Sequence, residues 1–113
     1  MAKCFRLQPE EIKPLVTGQG SCIASDRITV DGAKIGYMYR TLPVDPADSG
    51  WCFFAGDENE EYAATADFFG VYAVNTVANY DADILPLLDI PAPCAFERDA
   101  SGAFVPVTPT CEA

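Results

Sequence analysis

Apolar and polar positions alternate most regularly between Arg27 and Arg40, where β-branched and aromatic residues flank Asp31-Gly32. Asp-Gly between two such runs predicts a β-hairpin, because both turn positions need positive φ. A two-residue loop pairs Val30 with Ala33, Thr29 with Lys34 and Ile28 with Ile35. Val30, Ile28, Ile35, Tyr37 and Tyr39 then share one face, while Arg27, Thr29, Lys34 and Arg40 take the other. The first strand can start as early as Ser21, with a bulge near Ser25-Asp26.

Other segments carry weaker periodicity but clear punctuation. Pro9-Glu10-Glu11 reads as a helix start that Pro14 keeps short. Leu42 to Gly50 holds two prolines and turn-forming acids and reads as loop. Trp51 to Ala55 predicts a short buried strand, and Asp57 with Glu60 fits a capping box that opens a helix to about Asp67. Phe68 to Val74 is apolar enough to enter the core, and Asn75 to Tyr80 fits either a strand or a helical turn. Asp81 or Asp83 can cap a short helix through Ile84 to Leu88 if Pro86 lies in its first turn. Cys94 to Arg98 and Ala103 to Val107 form a terminal hairpin around Asp99 to Gly102. The sum is an α+β fold, a mainly antiparallel β-sheet with short α-helices, in one domain over residues 1–113.

Charge changes this picture most. Seventeen acids against seven bases give a net charge of −10, which repels nucleic acid and anionic membranes and steers toward cationic partners. No apolar run approaches the length of a membrane span, and Met1 to Glu11 has no apolar signal region, so the expected location is the cytoplasm. Five widely spaced cysteines with no CxxC pair and no histidine give no standard zinc site, and in a reducing compartment they serve as small core residues or free thiols. The missing histidine also removes the usual base for serine or cysteine nucleophiles, and no glycine-rich phosphate loop is present. No catalytic residue and no cofactor is assigned.

Two acidic groups stand out. Asp57, Glu58, Glu60 and Glu61 follow Trp51 and precede Tyr62. Acids at a helix start commonly interact only with the helix dipole and solvent. Beside aromatic residues they also suit a binding face for a basic partner. Asp81 and Asp83, next to Asn79 and Tyr80, form the second pair and are explained by helix capping. A divalent-metal hydrolase using Asp57, Glu58 and Glu61, or Asp81 and Asp83, is the weakest alternative, because the loop lacks the alternating ligands of a calcium hand.

A collinear set of segments carries a resemblance. It comprises Ile23 to Ile28, Val30 to Arg40, Asp48 to Glu58, Glu61-Tyr62, Asn75 to Ile84 and Phe96 to Arg98. Together they resemble the bacterial immunity-protein-thirty-three-like domain, grouped with the immunity proteins of polymorphic toxin systems. The likeness covers about Ser21 to Asp99, with Cys52, Ala55 and Ala82 departing from the residues usual there. It implies a non-enzymatic protein that neutralises a toxin. Joined to the charge, it gives the leading reading: a protein partner, such as a cationic toxin domain, is blocked by an acidic surface comprising Trp51, Asp57, Glu58, Glu60, Glu61, Tyr62, Asp81 and Asp83. The alternative from another class is a general adaptor or regulatory domain.

Overall fold

Six strands form one mixed sheet in the computed structural model of the protein, which describes residues 5–42 and 47–107. They are β1 (Ser21–Ser25), β2 (Tyr37–Arg40), β3 (Asp48–Phe54), β4 (Phe69–Ala73), β5 (Cys94–Arg98) and β6 (Phe104–Pro106), in the order β4-β1-β3-β2-β5-β6. Strands β1 and β3 run parallel, and the other neighbouring pairs are antiparallel. Short helices α1 (Asp26–Thr29), α2 (Glu60–Ala63) and α3 (Val74–Tyr80) complete the expected α+β architecture, with 3-10 turns at Pro9–Glu11, Ala66–Phe68 and Ala82–Leu87.

Strand alternation builds the core. Ala24, Phe53, Met38 and Phe96 are paired successively across β1, β3, β2 and β5, so they lie in one row on one face, and all four are buried. Ile28 of α1, Val74, Val77 and Ala78 of α3, and Ile84 and Leu88 beyond it join the same cluster. Trp51 lies one pleat along from Phe53, with the rings stacked at 5.9 Å. Two exposed residues, Ile23 and Val71, pair across β1 and β4 on the opposite face.

The hairpin expected over Ile28 to Arg40 does not form. The Ser25 hydroxyl accepts the Arg27 N–H at 3.1 Å, and the chain turns into α1 instead. Gly32, at φ +80°, ends that turn of helix: its N–H reaches the Ile28 carbonyl at 3.1 Å, and the Ala33 N–H reaches that of Arg27 at 2.9 Å. Among the described residues no non-glycine has positive φ, so Asp31 cannot supply the first position of the tight turn. A left-handed glycine serves a helix end as well as a hairpin, and the Asp-Gly signal does not distinguish them. Ile28 and Ile35 are buried as expected, but on a helix and a loop.

Other boundaries shift. Strand β3 starts at Asp48, so Asp48 to Gly50 belong to the sheet, while 43–46 of the expected loop lie outside the described residues. The apolar run from Phe68 to Val74 forms an edge strand whose residues are half-buried or exposed, and Val74 is its one core member. Asn75 to Tyr80 is helical. Asp81 does cap the next turn, accepting the Asp83 N–H at 3.1 Å, but that turn is 3-10 and carries Pro86 at its fifth position rather than in its first turn. The terminal hairpin forms, closed by the Asp99 N–H on the Ala103 carbonyl at 2.9 Å.

Candidate functional site

At the end of β3 the chain must pass close beside β2. Gly36 has no side chain because a Cβ there would collide with the Ala55 carbonyl, and its N–H donates to the Phe54 carbonyl at 2.9 Å. Glu58 folds back on this strand end, its carboxylate accepting the Ala55 N–H at 2.8 Å and the Gly56 N–H at 2.9 Å. Asp57 takes a two-pronged grip from Arg27, with Nε to Oδ1 at 3.1 Å and Nη2 to Oδ2 at 2.6 Å, while Arg27 Nη1 reaches Asp31 at 2.9 Å. Hydrogen bonding to Arg27 holds the Asp57 carboxyl below the usual carboxylate range.

The expected capping box of Asp57 and Glu60 is therefore not made. Asn59 caps α2 through its side-chain carbonyl, which accepts the Tyr62 N–H at 2.7 Å. Asp57 is committed to an arginine thirty residues away, which sequence spacing cannot reveal. The helix ends at Ala63, short of the expected Asp67, and the Thr65 hydroxyl donates to the Glu61 carbonyl at 2.9 Å. Tyr62 stacks on Phe68 at 4.5 Å and meets Phe69 edge-on at 6.0 Å, and burial pushes its phenol pKa up. Glu60 and Glu61 stand exposed.

Trp51 does not reach this surface. It is 1% exposed, its indole N–H points at the Leu88 carbonyl at 3.4 Å, and the Arg40 guanidinium lies 5.5 Å from its ring. Its expected role as a partner anchor gives way to one in the core. Asp81 is likewise interior, at 2% exposed, and pairs with Arg98 Nη2 at 2.6 Å, while the exposed Asp83 receives Arg98 Nη1 at 3.2 Å. Arg98 also donates from Nε to the Ile35 carbonyl at 2.6 Å and from Nη1 to that of Gly102 at 2.7 Å, under the ring of Phe104 at 4.1 Å. This hub ties together β5, the loop before β2 and the turn after α3.

The structure gathers Asp57 and Glu58 with a residue that the sequence reading passed over, Glu97. They border an open depression of about 760 Å³ lined by Tyr37, Phe54 and Arg98 as well, the arginine being engaged by Asp81 and Asp83. Glu97 pairs directly with Tyr37, which pairs with Phe54, so all three point from one face. Alternation along Cys94 to Arg98 was the available signal, because a buried Phe96 sends Glu97 outward. Asp83 lines a separate, smaller depression of about 310 Å³ beside Phe104. Among the described residues, no three acids or thiols converge on a point that could hold a metal ion, and no helix is long and apolar enough to cross a membrane.

Cys22, Cys52 and Cys94 are free thiols. Burial, reinforced by Cys52 and Asp48, pushes the Cys22 thiol far up, so little thiolate forms near neutrality. Thiol titration of native protein should leave Cys22 unlabelled until denaturant is added, behind the half-buried Cys52 and Cys94. Rapid native labelling of Cys22 would mean that β1 opens far more readily than its burial implies.

Fold and site together define a small α+β domain that presents a carboxylate-bordered, aromatic-floored depression at the strand ends. The model of the Immunity protein Imm33 domain matches residues 22–108, and the chain belongs to that family of immunity proteins. The match runs through β6, so the C-terminal strand, which the sequence reading left outside the likeness, lies within the family domain. No curated protein and no solved structure matches the chain.

Proposed function

We propose that the protein is the non-catalytic antidote to a basic toxin domain, acting in the cytoplasm by covering that domain's working surface. The observation that carries this reading is the sorting of charge. Arg27, Arg40 and Arg98 turn their donors onto the protein's own carboxylates and carbonyls, whereas Glu60, Glu61 and Glu97 face outward, exposed. Arg27 and Arg98 are answered at close range by Asp31, Asp57, Asp81 and Asp83, so the exposed Glu60, Glu61 and Glu97 add to an outward field whose sign is set by the net charge of −10. Tyr37 and Phe54 offer an apolar floor for the stem of a lysine or arginine whose charged end sits among the bordering carboxylates. A domain that is basic because it grips nucleic acid gains most from such a block.

The test measures association with a basic toxin domain recovered from the native host by pull-down on this protein, in inactive form, for wild type and for Glu60→Lys/Glu61→Lys/Glu97→Lys. Asp57 and Glu58 are spared because they hold Arg27 and the end of β3. Steering charges act mainly on encounter, so the triple reversal should slow association by about tenfold or more at low salt and flatten its salt dependence. Equal rates and equal salt slopes would reduce these carboxylates to solvated surface groups.

A further inference from the structure

The two edges of the sheet are treated differently. Strand β6 is three residues long and carries Pro106, both devices that discourage further pairing. Strand β4, Phe69–Ala73, has five residues with no proline and no charge, in a chain with seventeen acids.

Its hydrogen-bonding phase follows from the register. The Val74 N–H donates to the Gly20 carbonyl at 3.0 Å, one step beyond the Ser21–Ala73 pair. Antiparallel ladders alternate bonded and non-bonded pairs, so Tyr72 and Gly70 bond to β1 while Val71 and Ala73 turn their main-chain groups away from it. Val71 is 72% exposed, and its partner Ile23 is 42% exposed.

We propose that β4 is the contact edge of a homodimer, two copies pairing this strand antiparallel about a two-fold axis through Val71. Each Val71 then exchanges N–H and C=O with its counterpart, the reciprocal bonding that an isologous contact requires. Ile23 and Val71 of the two copies form a four-residue aliphatic strip across the joint. Phe69 falls opposite Ala73 of the second copy, and Asp67 opposite Asn75, so no like charges meet at the seam. The depressions bordered by Glu97 lie toward the other edge of each sheet and stay open, which leaves this inference independent of the proposed antidote role.

Sedimentation equilibrium of the full chain, from micromolar to near-millimolar protein, tests it. A species of twice 12.2 kDa should grow with concentration. It should also tighten as salt rises, because salt screens repulsion between two acidic copies. Val71→Pro removes an N–H that, by the ladder phase, points away from β1 and makes no bond to it. It should raise the dimer dissociation constant by about thirtyfold while leaving the circular dichroism of the fold intact. Should the proline variant unfold, Val71→Lys, which sets two cations against each other at the axis, must give the same loss. In the wild type, the Val71 amide should exchange with deuterium more slowly as protein concentration rises. A monomer at every concentration overturns the proposal, as does a dimer indifferent to both variants or one that salt weakens. Protection of Val71 only on adding the toxin domain also overturns it, by giving the edge to another partner.

Discussion

Asp81→Ala is expected to destabilise the domain by about 3–5 kcal/mol, the range for removing one member of a buried, hydrogen-bonded ion pair. The carboxylate accepts the Ile35 N–H at 3.0 Å, Arg98 Nη2 at 2.6 Å and the Asp83 N–H at 3.1 Å. Deleting it leaves the Ile35 amide buried without an acceptor and a guanidinium, 19% exposed, facing a void. Against a typical total of about 5–15 kcal/mol, that loss should leave much of the protein unfolded at moderate urea. Asp81→Asn keeps a single acceptor oxygen, for the Asp83 N–H or the Ile35 N–H but not both, and loses the charge, so its midpoint should also fall well below wild type. A midpoint for the alanine variant within about 1 kcal/mol of wild type would mean that water readily replaces the carboxylate.

Gly50→Ala should cost about 3 kcal/mol, from two sources. Gly50 has φ +84°, and an added Cβ would run into the Thr41 carbonyl oxygen. The residue sits where the β1–β3 register breaks, between the Ser21–Asp48 and Ile23–Cys52 pairs. That irregularity aims Trp51 inward, with the Ser49 hydroxyl accepting the Trp51 N–H at 3.1 Å and donating to the Ser21 carbonyl at 2.6 Å. Relieving the collision requires moving Thr41, whose N–H holds the Gly50 carbonyl at 2.9 Å. Gly18→Ala provides the contrast, having φ +74° but nothing within 4 Å of the new Cβ, and should cost only about 1 kcal/mol. Equal losses in urea for the two variants would assign the whole effect to backbone conformation.

Local signals were reliable where one interaction range decided the outcome. A dense apolar run marked Trp51 to Ala55 as a strand, which holds through Phe54, and Asp99 to Gly102 marked the terminal turn. They failed where distant residues competed for the same group. Asp57 looked like a helix cap because Glu60 follows three residues later, but Arg27 offers it a forked pair that a backbone N–H cannot match. Asp31-Gly32 looked like a hairpin because its flanks are β-branched, yet the Ser25 hydroxyl had already opened a helix at Asp26. Trp51 beside an acidic run suggested an interface anchor, but pairing with Arg40 of β2 turns it into the core, and no local pattern reports which strand lies opposite. Glu97 stands apart from both acidic clusters of the sequence, because this depression is assembled from β2, β3 and β5.

The strand order also sets a timetable for synthesis. Strands β1, β3 and β2, the middle of the sheet, are complete once Phe54 has emerged from the ribosome. The layer that covers Trp51, Phe53 and Met38 is not complete until Leu88 follows. For about the span of α2, β4 and α3, a nascent chain therefore carries a paired sheet centre with its apolar face open, and its β2 edge lacks the flanking strand β5 throughout. Newly made protein passes through its most aggregation-prone form during this interval, before the depression that needs Glu97 of β5 exists.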